Sequence, residues 1–364
     1  MSTSTSRLYN FSAGPAVLPM PVLEQAQRDL IALPGVGMSV MEISHRSKAF
    51  EDLLGAAIAD IRTLAGVPAT YSILMLQGGA SLQFSMVPMN LLTPGATADY
   101  IDTGSWAEKA AKEAARVGTV NVTGSTKADN YNRIPTPAEI TLTPGAAYAH
   151  ITTNNTIEGT EWRTLPDVGA APLVADASSD IFSGPIDVER FGVIYAGAQK
   201  NLGPSGVTLV IIRQDLLARS TKSLPTMLNY AVMVENNSLY NTPNTFGIYI
   251  LGLTMQWLKG LGGLAAVGQT NDRKATALYA EIDRTGFYRG TAQKDSRSRM
   301  NITFRLPSED LEKRFEKEAT ASGLDGLKGH RSVGGMRASI YNAFPEEGVQ
   351  ALVQFMREFE RKNG

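Results

Sequence analysis

Runs of consecutive apolar residues alternate with helical patterns along most of the chain. The apolar runs are YSILML (71–76), ADYID (98–102), APLVAD (171–176), FGVIY (191–195) and VTLVII (207–212). Continuous apolar strands with helices between them are typical of a mostly parallel sheet that helices cover on both faces. The pattern therefore predicts an α/β fold. Ser105 and Glu108 have the spacing of a capping box, so we expect the helix after the second run to begin at Ser105.

The character of the chain changes near residue 260. A helical stretch runs into GLGGLA (260–265), and the segments beyond it are predicted to be helix, strand, helix, strand and helix (271–286, 298–306, 308–323, 335–343 and 345–362). This order predicts a large domain at 17–261 and a smaller α+β domain formed by 1–16 and 262–364. GLGGLA fits the dinucleotide pattern G-x-G-x-x-A, but it follows a helix instead of a strand, so we interpret it as a hinge.

Composition narrows the class of protein. The 364 residues include 34 basic and 35 acidic side chains, and this balance gives no support for binding to nucleic acid or to an anionic membrane surface. Cysteine is absent, which excludes disulfides, thiolate metal sites and a cysteine nucleophile. The three histidines are scattered, so we expect no metal site. The first residues lack a signal-peptide pattern and no apolar run approaches the ~20 residues of a membrane span, so we expect a cytoplasmic protein.

The ends of the apolar runs are the most informative positions for chemistry, because ligands of open α/β sheets bind beyond the carboxyl ends of the strands. After the first run, two glycines followed by Ala80 and Ser81 lead into a helix, whose free N–H groups and positive dipole end can bind a phosphate. A tight turn explains these small residues equally well. Trp106 follows the second run, where it can stack on a flat ring or simply pack in the core.

Two charged residues end further apolar runs. A carboxylate as close to the core as Asp176 is costly unless it has a positive partner, which can be a protonated ring nitrogen, a helix N-terminus or an ordinary ion pair. A lysine that is partly removed from water, as Lys200 would be, has a lowered pKa, and its neutral amine can form a Schiff base with a carbonyl. Most single lysines, however, lie at the protein surface with the charged end of the side chain in water, and this is the alternative for Lys200.

The four strand ends together contain what pyridoxal phosphate (PLP) requires of a protein. They offer a phosphate cradle, an aromatic ring for stacking, an acidic partner for a ring nitrogen and a lysine for a Schiff base. Each feature has an ordinary structural explanation, but the combination is much more specific than its parts. We therefore expect PLP as the cofactor, with Lys200 and Asp176 as the catalytic residues.

Several long stretches resemble the phosphoserine aminotransferase family, which belongs to the class V aminotransferases of PLP fold type I. These stretches are NFSAGPAVLP (10–19), SVMEISHRSKAFE (39–51), GSWAEKA (104–110), NNTIEGT (154–160), VADASSDI (174–181), IYAGAQKNLGPSG (194–206), YNTPNTF (240–246) and LKGHRSVGGMRASIYNA (327–343). The resemblance covers nearly the whole chain and implies the aspartate-aminotransferase-like fold.

The resemblance also implies roles for individual residues. Lys200 would carry the cofactor as a Schiff base, Asp176 would pair with the pyridine nitrogen and Trp106 would stack on the ring. Further cofactor contacts are implied for Ala80, Ser81, Thr156, Gln199 and, from the neighbouring subunit of a homodimer, Asn241 and Thr242. Some family members have glycine and arginine where this chain has Ala80 and Ser81, which leaves the phosphate with backbone and hydroxyl donors here.

The implied reaction moves an amino group from glutamate to 3-phosphohydroxypyruvate, as in serine biosynthesis and in a related step of vitamin B6 synthesis. Glutamate and phosphoserine each carry two acidic groups, which calls for clustered cationic donors. The basic stretches SHRS (44–47) and GHRSVGGMR (329–337) offer such donors, although some of these charges can be solvated surface charges. We assign His45, Arg46, His330 and Arg331 to the distal acidic group, Arg337 to the α-carboxylate, and Ser12 to closure over the substrate.

Other functions are compatible with parts of the sequence. Another enzyme of the same fold, such as a serine-glyoxylate aminotransferase, would have no evident use for two His-Arg pairs, and a cysteine desulfurase needs the cysteine that is absent. A protein that binds PLP or phosphate without catalysis stays possible, because a fold alone does not establish a function. A nucleic-acid-binding protein lacks the basic stripe that such binding requires.

Overall fold

The computed structural model describes residues 7–364. Helices α1 to α9 are Met20–Asp29, Lys48–Ala65, Gly79–Leu91, Ser105–Ala114, Tyr230–Glu235, Thr245–Gly260, Gly263–Ile282, Glu309–Ala321 and Glu346–Asn363. Strands β1 to β14 are Tyr9–Asn10, Tyr71–Leu76, Thr97–Asp102, Thr119–Ser125, Ala149–Thr152, Asn154–Asn155, Thr160–Glu161, Leu173–Asp176, Val193–Gly197, Thr208–Arg213, Arg289–Gly290, Asn301–Arg305, Leu324–Asp325 and Met336–Ser339.

A seven-stranded sheet forms the centre of the larger part of the molecule, in the order β2-β10-β9-β8-β5-β3-β4. Strand β10 runs antiparallel to both of its neighbours, and the other pairs are parallel. The apolar runs of the sequence form β2, β3, β8, β9 and β10. The predicted α/β fold with a mostly parallel sheet is therefore confirmed.

Helices cover both faces of this sheet, as strands with two apolar faces require. Phe50 of α2 and Leu251 of α6 belong to the core on one face, together with Ile194 of β9. Phe84 of α3 belongs to the core on the other face, together with Tyr195 of β9. Neighbouring residues of β9 thus enter opposite layers, because successive side chains of a strand point to opposite faces.

A smaller core lies beyond α6. Strands β11, β12 and β14 form an antiparallel sheet, and helices α7, α8 and α9 contribute residues to the core that it shares. Strand β1 pairs with β13 and so ties the start of the described chain to this unit. These contacts support the division into 17–261 and 1–16 with 262–364, which we retain as a proposal. Residues 1–6 of that division lie outside the described residues.

Helices α6 and α7 meet at a bend of 82°. Gly262 has a φ of 95°, in the left-handed region that glycine adopts without strain, and α7 begins directly after it at Gly263. The helix predicted from residue 271 therefore starts earlier, because the small residues after the bend form its first turns. GLGGLA lies between two helices, which excludes the dinucleotide fingerprint. Across residues 7–364, no individual helix has the length and hydropathy to cross a bilayer, and only this bent pair, counted as one, meets both requirements.

Helix α4 begins at Ser105, as predicted, but its cap differs from the prediction. The N-cap position is Gly104, and Ser105 is the first helical residue. Ser105 does not form a capping box with Glu108, because its N–H and hydroxyl both donate to Glu158 and the Glu108 carboxylate pairs with Lys112. The predicted capping box is wrong, because the Glu158 carboxylate, from a distant part of the sequence, accepts the hydrogen bonds of Ser105 instead.

Candidate active site

The adjacent strands β8 and β9 bring Asp176 and Lys200 to the same edge of the sheet. Asp176 is the last residue of β8, and Lys200 lies shortly after the end of β9. Asp176 is 4% exposed, and its Oδ1 accepts a hydrogen bond from the Ser178 N–H at 3.0 Å. Burial raises the pKa of Asp176, while the Ser178 hydrogen bonds and the Lys200 charge oppose that rise. A carboxylate buried this deeply is best compensated by a further positive partner.

Lys200 has the properties of a nucleophilic amine. Its Nζ donates to Thr156 Oγ1 at 2.7 Å. Burial lowers the pKa of Lys200 to about 8, an effect that Asp176 opposes and Arg337 reinforces. A larger fraction of the side chain is then neutral near pH 7, which is the form that attacks a carbonyl. The N-terminal segment closes over the stem of the lysine, since a Cβ placed on Gly14 would lie 3.6 Å from Lys200 Cγ.

Helix α3 begins with an open N-terminus. Gly78 and Gly79 have φ values of 89° and 65°, and no side chain caps this helix. A Cβ on Gly78 would lie 2.5 Å from Leu82 Cδ2, so glycine is required there for both conformation and space. Helix starts of this kind leave backbone N–H groups, here including those of Ala80 and Ser81, for an anion.

Trp106 lies in the first turn of α4, between two other side chains. The ring of Phe84 is 6.5 Å away between centroids, and Lys109 Nζ lies 4.1 Å from the centroid of the indole. The indole is only partly buried. It therefore retains surface that can pack against a flat ligand.

These groups fit PLP. The cofactor has a phosphate, an aldehyde and a flat ring whose nitrogen can be protonated. The open start of α3, the Lys200 amine and the buried Asp176 carboxylate match these three groups in turn. Trp106 adds an aromatic surface for the ring.

A cavity of 610 Å³, here called the cationic cavity, lies beside this cluster and is lined by residues of both units, including His330 and Arg337. Arg337 is on β14, and its Nη1 donates to the Thr156 carbonyl at 3.3 Å. Thr156 thus connects the cavity to Lys200. Arg337 Nε is buried and has no hydrogen-bond partner within residues 7–364, so this guanidinium retains a donor.

Positive charge accumulates around His330. Burial lowers the pKa of His330, and the charges of Arg337, Arg331 and Lys109 lower it further. His330 Nδ1 lies 2.7 Å from Ser332 Oγ. The predicted residues His330, Arg331 and Arg337 therefore share one electropositive region, which suits an anionic ligand.

The structure places the other predicted His-Arg pair in a different cavity. His45 and Arg46 line a cavity of 760 Å³ with Asn237 and Tyr240, and neither residue lines the cationic cavity of the same chain. Arg46 Nε lies 3.4 Å from His45 Nε2, and Arg46 is exposed. Within one chain, the two His-Arg pairs are thus not brought together.

Of the remaining predicted residues, Gln199 and Ser12 lie in segments that adjoin Lys200, whereas Asn241 and Thr242 lie beside the end of β2. Gln199 precedes Lys200, and its carbonyl accepts from the Ala16 N–H at 2.8 Å. The Ser12 N–H donates to Asn10 Oδ1 at 2.9 Å, in the segment that leads to Gly14. Asn241 lines a small cavity near the end of β2, and the Thr242 carbonyl lies 3.5 Å from Gln77 Nε2.

Sequence reasoning missed three residues at or near the site. Glu158 lines the cationic cavity and caps α4, and its position inside NNTIEGT was the only signal. Lys109 contributes charge near Trp106 and His330, but an exposed helical lysine looks ordinary in a sequence. His150 is buried, with its Nε2 2.7 Å from the Tyr195 hydroxyl, and burial lowers its pKa to about 3.

Comparison with known proteins agrees with this geometry. The family model described as aminotransferase class-V matches residues 8–352. Phosphoserine aminotransferase of Herpetosiphon aurantiacus is 54% identical over 358 residues, which cover 98% of this chain and 99% of the relative.

Solved structures show the same similarity. The phosphoserine aminotransferase from Bacillus circulans subsp. alkalophilus matches with a TM-score of 0.97 and 55% identity, over 99% of this chain and 100% of that chain. A PLP-bound phosphoserine aminotransferase from Trichomonas vaginalis matches with a TM-score of 0.93 and 41% identity, over 96% of this chain and 100% of that chain. The chain therefore belongs to the class-V aminotransferases and, within them, to the phosphoserine aminotransferases, which are PLP-dependent transaminases.

Proposed function

We propose that this enzyme transfers the amino group of L-glutamate to 3-phosphohydroxypyruvate and so forms O-phospho-L-serine and 2-oxoglutarate. The observation that carries the proposal is the junction at Thr156, whose hydroxyl binds Lys200 and whose carbonyl binds Arg337 of the cationic cavity. A nucleophilic amine thus lies next to donors for an acidic substrate. The reaction serves serine biosynthesis and, with the four-carbon phosphorylated oxo acid, the phosphohydroxythreonine step of vitamin B6 synthesis.

Lys200 and Asp176 have distinct roles in this proposal. PLP, when bound, withdraws electrons from the α-carbon of the attached substrate. Lys200 provides the covalent attachment for the cofactor and, once released, moves the proton at the substrate α-carbon. Its pKa of about 8 suits a base that works near neutral pH. Asp176 keeps the ring nitrogen protonated, because a buried carboxylate strongly favours a cationic partner.

The other predicted cofactor residues hold and orient the group. Trp106 packs against one face of the ring, and Thr156, which already bonds Lys200, lies near the ring oxygen. Ala80 and Ser81 offer N–H groups at the open start of α3 to the phosphate. Gln199, which directly precedes Lys200, makes a further contact with the cofactor. Backbone donors at a helix start are sufficient for an anion without an arginine.

The cationic cavity binds the acidic groups of the substrate. Arg337 takes the α-carboxylate, because its free Nε and its contact with Thr156 place a donor beside the lysine. His330 and Arg331 bind the distal phosphate or carboxylate, and Ser12 helps to close the site from the N-terminal segment. Clustered cations of this kind favour substrates with two acidic groups.

We also propose a homodimer in which the sites are shared. His45 and Arg46 lie in one cavity with Asn237 and Tyr240, immediately before the residues expected to reach the partner's phosphate, Asn241 and Thr242. All of these residues therefore enter the partner's site together. Exposed apolar side chains in the preceding loop, Ile31, Met38 and Met41, support a covered surface there.

A transamination assay tests the proposed substrate. Glutamate is the donor, and the acceptors are 3-phosphohydroxypyruvate and unphosphorylated hydroxypyruvate. We expect the phosphorylated acceptor to be preferred by at least about 100-fold in kcat/KM, because unpaired cationic donors disfavour a substrate without the anion. Equal values for the two acceptors would refute the assignment of the cationic residues.

A pair of arginine variants separates specific recognition from surface charge. Arg331→Ala is expected to lower the preference for the phosphorylated acceptor by about 10-fold, since a charge-assisted contact is lost. Arg116→Ala is the matched control, because Arg116 is 77% exposed just beyond the end of α4 and, within residues 7–364, pairs only with Glu113. An equal loss in both variants would contradict the proposed phosphate contact.

A further inference from the structure

Glu158 lies in the turn of residues 156–159 between β6 and β7 and bonds to two other parts of the active-site region. The Glu158 carboxylate accepts from the Ser105 N–H at 2.8 Å and from the Ser105 hydroxyl at 2.6 Å. The Glu158 carbonyl accepts from Thr303 Oγ1 of β12 at 3.0 Å. The turn thus links the start of α4 to the small sheet.

The Glu158 carboxylate provides the N-terminal cap that no residue next to α4 in the sequence provides. The N-cap residue Gly104 has no side chain with which to cap the helix. An acidic group at a helix N-terminus accepts free N–H groups and opposes the positive end of the helix dipole. Glu158 does this for Ser105, the residue immediately before Trp106.

The Glu158 carboxylate lies close to the backbone of Gly104, at the start of α4. A Cβ placed on Gly104 would lie 2.7 Å from Glu158 Oε2 and 2.7 Å from Asn155 Oδ1. A side chain at Gly104 would therefore collide with both groups. The backbone before Ser105 lies directly against the Glu158 carboxylate and the Asn155 side chain.

The arrangement is costly, which argues against a purely stabilising role. Glu158 is 7% exposed, and its Oε2 is buried with no hydrogen-bond partner in the described part of the chain. Burial raises the pKa of Glu158, while the two bonds from Ser105 oppose the rise. A buried oxygen without a donor destabilises a fold, and proteins keep such groups mainly at functional sites.

Glu158 cannot act on the substrate directly through its carboxylate. Oε1 accepts the hydrogen bonds from Ser105, and Oε2 is buried away from solvent, although the residue lines the cationic cavity. In that cavity burial lowers the pKa of Arg337, and the charges of Tyr341 and Glu158 oppose this effect. Its influence on the cofactor must pass through α4.

We propose that Glu158 is a positioning residue that holds Ser105 and thereby sets the indole of Trp106 against the cofactor ring. The proposal rests on the proposed role of Trp106. It predicts that loss of the Glu158 carboxylate weakens cofactor binding and changes the environment of the bound ring. A glutamine at this position retains a side-chain oxygen that can accept from Ser105.

The test measures PLP binding to purified protein with Glu158→Ala, Glu158→Gln, Ser105→Ala and Trp106→Ala. The readouts are the PLP dissociation constant and the visible circular dichroism of the bound cofactor, with thermal unfolding of the apo-proteins as the control for folding. We expect Glu158→Ala and Trp106→Ala to weaken PLP binding by about 10-fold, because loss of an aromatic contact with a ring raises the dissociation constant by about this factor. The dichroism of the bound cofactor should also decrease. Ser105→Ala should show a smaller loss, and Glu158→Gln should stay within about 3-fold of the wild type.

The outcomes distinguish this inference from the role of Trp106 itself. If Trp106→Ala weakens PLP binding and Glu158→Ala does not, the positioning role is refuted and the Trp106 assignment stands. If neither variant changes binding or dichroism, both are refuted. A rise in KM for glutamate in Glu158→Ala without a change in PLP affinity would indicate a direct substrate role and would also overturn the proposal. If Glu158→Ala does not fold, Ser105→Ala decides, and wild-type binding and dichroism in that variant would refute it.

Discussion

Among single residues, Lys200 and Asp176 matter most to the proposed chemistry, because burial shifts their pKa values in opposite directions. Burial lowers the pKa of Lys200 to about 8 and raises that of Asp176. Each shift disfavours the charged form of the group in the protein without cofactor. A bound ligand that reacts with the amine and brings a cation to the carboxylate removes both costs.

The lowered pKa of Lys200 predicts how stability depends on pH. The folded pKa is about 8 against an ordinary value of 10.5, so the unfolded state binds more protons between these values and stability rises with pH across that window. The difference in unfolding free energy between wild-type apo-protein and Lys200→Met should therefore shift in favour of the wild type by up to about 3 kcal/mol between about pH 7 and about pH 11. Urea unfolding at several pH values measures this difference, and a constant difference would contradict the burial of the amine.

Replacement of Asp176 by asparagine tests its proposed electrostatic role. The amide keeps the size of the side chain but cannot hold a proton on the ring nitrogen, so kcat/KM should fall by at least about 100-fold. Steady-state transamination kinetics give the value, and the apo-protein should be at least as stable as the wild type because a costly buried carboxyl is gone. Wild-type kinetics in Asp176→Asn would mean that another group stabilises the protonated ring nitrogen.

The sequence predicted these two residues because each follows directly on an apolar run that forms a strand. It could not predict the role of Glu158, because its partner Ser105 is fifty-three residues away along the chain. Ser105 instead suggested a capping box with Glu108, which the fold does not form. Local spacing thus identified strand ends correctly and failed where a long-range contact replaced a local one.

At the scale of secondary-structure elements, α7 is tied to the segment after β14 by a buried lysine. Lys274 Nζ donates to the carbonyls of Ile340, Tyr341 and Phe344 at 2.8 to 3.1 Å, and the side chain is 1% exposed. Lys274 therefore holds the end of the strand that carries Arg337. Removal of the amine would take the donor from the Ile340 and Phe344 carbonyls, whereas the Tyr341 carbonyl would keep the bond that it accepts from the Phe344 N–H at 2.9 Å.

Lys274→Met should lower the unfolding free energy by about 2 kcal/mol or more, since two buried carbonyls lose their donor and each costs about 1 kcal/mol or more. Denaturant unfolding of the apo-protein measures the change. Lys112→Met is the control, because Lys112 is 69% exposed and its ion pair with Glu108 should contribute less than about 1 kcal/mol. Similar losses in the two variants would show that the three carbonyl contacts add nothing.

Most elements could be predicted from the sequence because the large strands are apolar on both faces and the helices are not. The antiparallel direction of β10 could not, since its buried run looks the same in either direction. The two-residue strands β6 and β7 were also beyond prediction, although the turn between them carries Thr156 and Glu158. Their position depends on contacts with the small sheet, not on local pattern.

At the scale of the whole molecule, the separation of the two His-Arg pairs is the main evidence for shared sites. His330 lines the cationic cavity and its neighbour Arg331, which does not line it, adds charge beside it, whereas His45 and Arg46 line another cavity. The sequence grouped them by charge alone and could not show that one chain keeps them apart. In the proposed homodimer, the two pairs would come together from different subunits and bind the two acidic groups of the proposed substrate.

A hybrid-dimer experiment tests this arrangement. Lys200→Ala and Arg46→Ala should each have strongly reduced activity, and reassembly of a mixture should restore about a quarter of wild-type activity, because half of the dimers then contain one intact site. Activity is measured after mixed unfolding and refolding, with each variant refolded alone as the control. Absence of any recovery would place Arg46 in the same site as the Lys200 of its own chain or outside the site altogether.

The most direct test of the central claim is to find which lysine binds the cofactor. The PLP-loaded protein is reduced with borohydride, digested and mapped by mass spectrometry. The account predicts a reduced pyridoxyl group on the peptide that contains Lys200, and none in Lys200→Ala. A label on a different lysine, or an unlabelled Lys200 in protein that is saturated with cofactor, would contradict it.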